Sequence, residues 1–334
     1  MAPPRRYAVV GVGGVGGLYA ARLHAAGCEV HLVARGDADA LEADGLHLSS
    51  PLGDVAARLP VHRGPATVPE VDVVVLAAKT TSPSARATAA EVARDRPGAS
   101  VLVLQNGLGV EARVAGLAPG ATVLGGMAFV CSQRVGPGRI EHLDFGRVTV
   151  GEHRDDLAPA GITPAVEAVV ADLEAAGVGG VAAPDLVQGR WEKLVWNVPF
   201  NGLAVVLRAR TDELVADPAA VVLVRTLMEE VRAGAAAQGR AIAPGFVDRM
   251  VRATAAMTPY APSMRLDFDA GRDMEVDAIY GAPLAAARAA GVDLPATAVL
   301  AAQLRFLGAQ AGAGGGEGGT GPRATKPSHS RSTR

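Results

Sequence analysis

Residues 7–17 read Tyr7-Ala-Val-Val-Gly-Val-Gly-Gly-Val-Gly-Gly17, and this stretch decides the fold. An apolar run that predicts a strand leads into Gly11-Val12-Gly13-Gly14-Val15-Gly16, and a helix is predicted over 18–26. In this G-x-G-x-x-G pattern the first glycine permits a tight turn, the second lets a pyrophosphate approach the backbone, and the third lets the helix pack close to the strand. Unpaired N–H groups at the helix N-terminus attract phosphate. The stretch predicts a dinucleotide-binding fold; the alternative is an ordinary glycine-rich turn in a chain with 41 glycines.

The end of the second predicted strand indicates which dinucleotide is bound. Polar and apolar residues alternate at the start of the run 29–34, and its last residues are all apolar. The run ends at Arg35-Gly-Asp37. An NAD site carries an acidic residue about 20 residues past the glycine loop, where it holds the ribose 2′-hydroxyl. Arg35 suits a 2′-phosphate instead, because a guanidinium donates two parallel charge-assisted hydrogen bonds. We therefore expect NADPH as the cofactor. Asp37 is the competing residue for an NAD site, and an arginine that only caps the sheet edge is the structural alternative.

Composition limits the class of protein. The 334 residues are 49% hydrophobic and 20% charged, which predicts two domains with a large core. A net charge of −2 gives no general attraction to nucleic acid or to an anionic membrane. The N-terminus lacks a signal-peptide pattern, and no uninterrupted apolar stretch is long enough to span a bilayer. The two cysteines, Cys28 and Cys131, predict small buried residues in a reduced compartment. We expect a cytoplasmic protein without a metal site.

The first half of the chain alternates strands and helices. Strands are predicted at 7–12, 29–34, 71–78, 100–104, 122–130 and 147–151, and helices at 18–26, 84–94 and 166–176. Near-continuous apolar strands of this kind indicate a parallel sheet that is covered on both faces. Residues 139–151 alternate more like a hairpin at a sheet edge, so the last strands are expected to be antiparallel.

The second half shows helical periodicity without a convincing strand. Helices are predicted at 185–207, 217–238, 245–257, 273–290 and 296–309, the first with Asp185 as its N-cap. The fold class is therefore α/β: an N-terminal Rossmann-type doubly wound sheet over 1–182 and an all-α C-terminal domain over 183–310. Residues 311–334 are glycine-rich and polar, which predicts a disordered, solvated tail.

A polar stripe in the second half suggests chemistry. Lys193, Asn197 and Asn201 lie at i, i+4 and i+8 of a predicted helix that is otherwise apolar, and so share one face. Such a stripe must either find buried partners or line a wet cleft. In a cleft, desolvation disfavours the ammonium form of a lysine and favours acid–base use near neutral pH. The alternative is a surface lysine with two core amides. Pro199 predicts a kink or a lost backbone hydrogen bond in this helix.

Further polar residues follow predicted strands or precede a predicted helix. Lys79 and Asn106 come shortly after apolar strands, and ligands of open α/β sheets bind beyond the carboxyl ends of strands. For Asn106 a simple turn with Gly107 is the alternative. The stretch 262–281 predicts a loop leading into a helix, with Ser263 and Asp273 as candidate caps and Glu275 just before the apolar helix.

Taken together, these motifs resemble the ketopantoate reductase family, the NADPH-dependent 2-dehydropantoate 2-reductases. The resemblance covers about residues 7–307. It rests on the ordered combination of the glycine loop at 11–16, Arg35, Ala78-Lys-Thr80, Gln105-Asn-Gly-Leu-Gly109, Trp191-Glu-Lys-Leu194 with Asn197 and Asn201, Ser263-Met264, and Glu275-Val-Asp277.

The resemblance implies a substrate, a small 2-oxoacid, bound in the cleft between the two domains. Lys193 would be the general acid, and Glu275 the carboxylate that faces it across the cleft. Ser263 would meet the substrate carboxylate, and Asn197 and Asn201 its far hydroxyl. Lys79 and Asn106 would contact the nicotinamide side of the cofactor, and Arg35 its 2′-phosphate. The oligomeric state stays open, with a homodimer as one assembly.

The chain departs from the family pattern at two positions. Tyr260 and Thr211 stand where better-understood members carry pocket asparagines, and the larger phenol is expected to reshape the pocket. Two alternatives to ketopantoate reduction therefore stay open. One is a related NAD(P)-dependent reductase of another small 2-oxoacid, and the other is a non-catalytic protein that senses NADP(H).

Overall fold

The computed structural model describes residues 4–314. Its strands are β1 (Arg6–Val10), β2 (Glu29–Val33), β3 (Leu46–Ser49), β4 (Val55–Ala57), β5 (Val61–His62), β6 (Val73–Leu76), β7 (Ser100–Val103), β8 (Thr122–Gly136), β9 (Arg139–Glu152) and β10 (Gly180–Ala182). Its helices in the same half are α1 (Gly14–Ala25), α2 (Ala38–Asp44), α3 (Pro83–Arg94), α4 (Val110–Ala115) and α5 (Pro164–Ala175), with a 3₁₀ turn at Pro65–Thr67.

The strands form one mixed sheet in the order β4-β3-β9-β8-β7-β6-β1-β2-β5, with β10 beside β9. Strands β8, β7, β6, β1, β2 and β5 run parallel, and buried side chains cover both faces. This arrangement confirms the predicted doubly wound sheet. The hairpin of β8 and β9 is antiparallel, as its alternation predicted.

Several details of the sheet differ from the sequence prediction. β8 continues to Gly136, six residues beyond the predicted end, because its far half pairs with β9. Strands β3, β4, β5 and β10 were not predicted. Each has only two to four residues, too few to show a period of two, and each exists through its pairing with a longer neighbour.

The second half is helical, as predicted, and the described residues after Ala182 form no strand. Its helices are α6 (Leu186–Val206), α7 (Thr211–Ala216), α8 (Pro218–Ala237), α9 (Gly245–Ala256), α10 (Ser263–Asp269), a π-helical turn at Asp277–Gly281, α11 (Ala282–Ala289) and α12 (Pro295–Gly314). The N-cap prediction for α6 is confirmed, since Asp185 accepts a hydrogen bond from Gln188 N at 3.0 Å.

Three helix predictions need correction. The predicted helix 273–290 begins only at Asp277, with the π-helical turn, and α7 and α10 were missed because each spans fewer than two turns. α6 is continuous through Pro199, since residues 194–205 are all buried and packing outweighs the lost backbone hydrogen bond. α12 continues to Gly314, beyond its predicted end at 309, so residues 311–314 of the predicted tail are helical; residues 315–334 of that prediction lie outside the described residues.

A buried ion pair fastens α6 to the sheet. Arg190 and Glu111 are 2% and 3% exposed, and the guanidinium donates from Nε to Glu111 Oε1 at 2.7 Å. The same guanidinium donates to the carbonyl oxygens of Gln105 and Val103, at the carboxyl end of β7, at 2.6 and 3.1 Å. Gly125 on β8 leaves room for the Glu111 carboxylate, which a Cβ at that position would strike.

Glu111→Ala is expected to lower the free energy of unfolding by about 3–5 kcal/mol, because it leaves the Arg190 charge buried without a counter-ion. Urea unfolding followed by circular dichroism measures the change. The exposed pair Arg225–Asp248 supplies the matched control, and Asp248→Ala should cost no more than about 1 kcal/mol. Equal small losses in the two variants would contradict the anchoring role.

Candidate functional site

The glycine loop leaves an open surface at the start of α1. Gly13 is the N-cap of α1, its backbone is extended, and it supplies no side chain to the free N–H groups of the first turn. A Cβ on Gly13 would meet no heavy atom within 4 Å. Gly11 adopts φ +95° and packs against Ala78, and Gly16 packs against the Gly11 carbonyl. The loop therefore holds its turn by close packing at two glycines and presents the third to open space.

A cavity of about 400 Å³ lies beside this loop. Three arginines and one aspartate are its charged lining residues: Arg35, Arg63, Arg134 and Asp37. Arg35 is exposed and donates from Nη2 to Ser84 Oγ at 2.6 Å. Arg63 pairs with Asp39 and Glu42 of α2 at 2.6 and 2.8 Å. Arg134, near the far end of β8, pairs with Asp37 at 2.6 Å. The cavity is therefore suited to an anionic group.

Lys193, the first residue of the predicted polar stripe of α6, faces the sheet. The Lys193 ammonium donates to the carbonyl oxygen of Ala128 on β8 at 2.8 Å. Burial lowers the pKa of Lys193 to about 7, and the positive charge of Arg190 one turn earlier adds to this effect, whereas the negative charge of Glu275 opposes it. Lys193 can therefore exchange a proton near neutral pH.

The two asparagines of the stripe are buried but differ in their partners. Asn201 Oδ1 accepts from Met264 N at 3.1 Å and Ser263 Oγ at 3.4 Å, at the start of α10. Asn197 is 5% exposed, and its Nδ2 has no hydrogen-bond partner among the described residues. A buried amide donor without a partner is costly, so a water molecule or a ligand is needed to complete its hydrogen bonding.

Two contacts join the loop after β6 to the helical half. Glu275 Oε1 accepts from Thr80 N at 2.8 Å and from Thr80 Oγ1 at 2.9 Å. Lys79 forms an ion pair with Asp267 of α10, a carboxylate that also accepts from Arg272 Nε at 3.1 Å. Glu275 acts on Lys193 through its charge, since the described residues show no ion pair between the two within 4 Å. The loop thus has a carboxylate partner at each of two successive residues.

The loop after β7 packs on the π-helical turn. Gly107 adopts φ +104° and lies against Ala278, whose carbonyl accepts from Leu108 N at 3.1 Å. This contact explains the Asn-Gly pair, because a residue with a Cβ at position 107 would strike Ala278. Asn106 beside it is partly buried. Single π-helical turns occur often at functional sites.

The two departures from the family pattern behave differently. Thr211 is fully buried and holds the chain at Tyr260, with its N and Oγ1 donating to the Tyr260 carbonyl oxygen at 3.2 and 3.1 Å. The Thr211 hydroxyl is therefore used in a structural hydrogen bond. Burial raises the pKa of the Tyr260 phenol, and nearby Cys131 and Asp267 add to the rise. Tyr260 is therefore within electrostatic range of Asp267.

Sequence reasoning missed four residues of this region. Asp267, Thr80, Ser84 and Arg134 were not among the predicted site residues. Asp267 is four residues after Ser263, which would have placed the two on one helical face had α10 been predicted. Thr80 lay within a quoted motif, but its partner Glu275 is 195 residues away. Arg134 and Ser84 carry no local signal.

Lysine usage adds an independent observation. Only three of the 32 basic residues are lysines, Lys79, Lys193 and Lys326. Both lysines that the structure describes lie where the sheet meets the helices. Arginine stays charged at every ordinary pH, whereas a lysine can be shifted into the neutral range. Burial lowers the pKa of Lys193 in this way, so Lys193 is a candidate for a role that arginine cannot fill.

Within residues 4–314, no helix is both long and apolar enough to cross a membrane. The same residues contain no cluster of three or more histidine, cysteine, aspartate or glutamate side chains that could hold a metal ion.

Comparison with known proteins identifies the family. Residues 7–155 match the family model "Ketopantoate reductase PanE/ApbA", and residues 185–308 match its C-terminal counterpart. A 2-dehydropantoate 2-reductase of Nostoc sp. is 43% identical over 304 residues, which cover 91% of this chain and 95% of that protein.

Solved structures agree with this match. Crystal structures of 2-dehydropantoate 2-reductases from Geobacter metallireducens and Methylococcus capsulatus match with TM-scores of 0.82 and 0.83. Their identities to this chain are 39% and 32%; each match covers 92% of this chain, and 99% and 97% of the two structures. The chain therefore belongs to the ketopantoate reductase family of oxidoreductases.

Proposed function

We propose that this protein catalyses the NADPH-dependent reduction of 2-dehydropantoate to pantoate, a step of pantothenate biosynthesis. The observation that carries the proposal is the position of Lys193, an ammonium with a pKa of about 7 held at the junction of sheet and helices. The name of the 43% identical relative supports this substrate.

The glycine loop and its cavity fit NADPH. Gly13 leaves room for a pyrophosphate, and the first turn of α1 offers free N–H groups to it. In our assignment residues 11–16 hold the pyrophosphate and Arg35 holds the 2′-phosphate. Lys79 and Asn106, which follow neighbouring parallel strands, lie toward the nicotinamide end. When bound, NADPH supplies the hydride for the reduction.

Lys193 supplies the proton. As the ketone carbon is reduced, its oxygen gains negative charge, and an ammonium within hydrogen-bond reach donates a proton to it. The Ala128 carbonyl fixes the direction of the ammonium beforehand. Glu275 helps keep Lys193 protonated, because its negative charge raises the pKa that burial lowers.

The α6 amides and Ser263 are proposed to bind the substrate. The buried Nδ2 of Asn197 has no partner within residues 4–314, and a substrate hydroxyl can accept a hydrogen bond from it. The Asn201 side chain sets Ser263 at the start of α10, where its hydroxyl can meet the substrate carboxylate. We assign cofactor binding to the domain over 1–182 and substrate binding to the helices over 183–310.

Tyr260 supports a second candidate function, the reduction of another small 2-oxoacid. Its phenol is close enough to Asp267 for that carboxylate to raise the phenol pKa, and it is larger than the amide expected from the family pattern. NADPH oxidation with 2-dehydropantoate, measured beside other branched 2-oxoacids, distinguishes the two. The highest kcat/KM is expected for 2-dehydropantoate, and a higher value for another acid would favour the second candidate. Cofactor binding without turnover of any 2-oxoacid would instead indicate an NADP(H) sensor.

The ionisation of Lys193 should be directly observable. With ¹³C-labelled lysine the protein gives three side-chain resonances, since the chain has three lysines. One resonance is expected to titrate at about pH 7 and to disappear in Lys193→Arg. Because the protonated form is the donor, kcat/KM for reduction should be constant below this pH and fall above it. Titration of this resonance only near pH 10 would contradict the assignment.

Replacing Lys193 by alanine tests the same assignment by activity. Lys193→Ala should lower kcat by about 10²–10⁴-fold with little change in NADPH affinity.

Glu275→Gln tests the electrostatic role of this carboxylate. The amide keeps an oxygen that can accept from Thr80 but loses the charge that raises the Lys193 pKa. The falling limb of the pH profile should therefore move to lower pH, together with the Lys193 resonance. Glu192→Gln is the matched control, because Glu192 is adjacent to Lys193 but bonds to Gln188. An unchanged limb in Glu275→Gln would remove Glu275 from the acid–base assignment.

Gly13→Ala tests the assignment of the glycine loop. Its Cβ enters space that is open in the protein but that the pyrophosphate occupies in our assignment. The melting temperature should change little, and NADPH binding, measured by fluorescence titration, should weaken by about tenfold or more. Gly16→Ala is the contrasting variant, because its Cβ meets the Gly11 carbonyl and should lower stability itself. Unchanged NADPH affinity in Gly13→Ala would contradict the assignment.

A further inference from the structure

The cavity beside Arg35 contains an acidic side chain at the place where it would oppose NADPH. Asp37 is two residues beyond Arg35 and lines the same cavity. A carboxylate in this region of a dinucleotide fold accepts from the ribose 2′-hydroxyl of NADH and repels a 2′-phosphate. Building on the proposed NADPH-dependent function, we propose that Arg134 determines the cofactor preference by neutralising Asp37.

The Asp37 carboxylate is turned toward Arg134. Asp37 is the N-cap of α2, where an aspartate ordinarily accepts from an N–H of the first turn, yet its side chain makes no such bond. Both of its oxygens accept from Arg134 Nη1, each at 2.6 Å. The Asp37 side chain is only 17% exposed, so its charge is partly shielded from water and depends more on this partner.

The long β8–β9 hairpin brings Arg134 to this position. Ser132, two residues earlier on β8, donates from Oγ to the carbonyl oxygens of Gly14 at 2.9 Å and Glu141 at 3.2 Å. Gly14 lies so close to the Ser132 carbonyl and to Gln133 that a Cβ would strike them. The hairpin is therefore fixed to the first turn of α1, and Arg134, two residues further along β8, lines the cavity.

The charges of the cavity then divide into neutralised and available groups. Arg134 compensates Asp37, and Arg63 is compensated by Asp39 and Glu42. Arg35 forms no ion pair within residues 4–314, and its guanidinium donates to the neutral hydroxyl of Ser84. Because Arg134 neutralises the Asp37 carboxylate, the Arg35 charge is available to a 2′-phosphate. Without Arg134, Asp37 would face the same phosphate.

Equilibrium binding of NADPH and NADH to four proteins tests this inference. They are wild type, Arg134→Ala, Asp37→Asn and the double variant, titrated by fluorescence at one ionic strength, with 2′,5′-ADP and 5′-AMP as fragments. Arg134→Ala should shift the ratio of the two Kd values toward NADH by about tenfold or more, because the freed carboxylate repels the 2′-phosphate and accepts from the 2′-hydroxyl. Adding Asp37→Asn to Arg134→Ala should restore most of the wild-type ratio of the two Kd values.

Arg139→Ala is the matched control. It removes a positive charge from the same hairpin but outside the cavity lining, so the ratio of the two Kd values should stay unchanged.

The outcomes separate this inference from the proposed function. The wild-type ratio alone tests the preference for NADPH, and Arg35→Ala tests its origin. The change in the ratio of Kd values between wild type and Arg134→Ala tests whether Arg134 neutralises Asp37, whatever the wild-type ratio is. An unchanged ratio overturns the inference, as does an altered ratio that Asp37→Asn fails to restore, since Arg134 would then act on the phosphate itself. Thermal unfolding shows that the variants are folded.

Discussion

Burial of Arg190 is the constraint on which the rest of the site depends. A guanidinium that is 2% exposed must satisfy its charge and its donors inside the protein, and it does so with Glu111 and two carbonyl oxygens at the end of β7. This requirement fixes the position and rotation of α6 against the sheet. Lys193 follows three residues later and therefore faces the sheet beside Ala128. The same Arg190 charge lowers the Lys193 pKa, so one buried cation both anchors the helix and adjusts the proton donor that we assign to it.

The loop after β6 couples the two halves of the molecule through polar contacts at the end of the site where we propose that the reaction occurs. Lys79 and Thr80 are adjacent, yet each has a carboxylate partner from a different segment of the helical half, Asp267 and Glu275. Because Asp267 and Glu275 are both nearly buried, neither charge tolerates the loss of its partner. The loop is therefore held from both sides. The proposed nicotinamide-binding lysine and the proposed modulator of Lys193 then belong to one connected set of polar contacts.

In the cavity beside the glycine loop, charge rather than shape distinguishes the candidate cofactors. NADPH differs from NADH only by the 2′-phosphate, so the preference depends on how many uncompensated cations surround that position. The cavity holds three arginines, and two of them are paired with carboxylates. A preference can thus arise by compensating an unfavourable acid as well as by adding a favourable base. Because such pairs are partly exposed, their contribution to folding is small and their effect is felt mainly in ligand binding.

The sequence by itself determined the dinucleotide fold, the all-helical second half and the polar stripe of α6. These follow from local patterns: the glycine spacing at 11–16, apolar strands, and a period of 3.6 residues that puts Lys193, Asn197 and Asn201 on one face. The short strands and short helices escaped prediction, because two to seven residues carry too little periodicity and depend on their neighbours. Only the tertiary structure decided the partners of the charges. Thr80 with Glu275, Lys79 with Asp267 and Asp37 with Arg134 are separated by 195, 188 and 97 residues, since Asp267 lies 188 positions after Lys79. A charged residue in a predicted buried segment indicates that a partner is required, but the fold of the whole chain decides which residue that partner is.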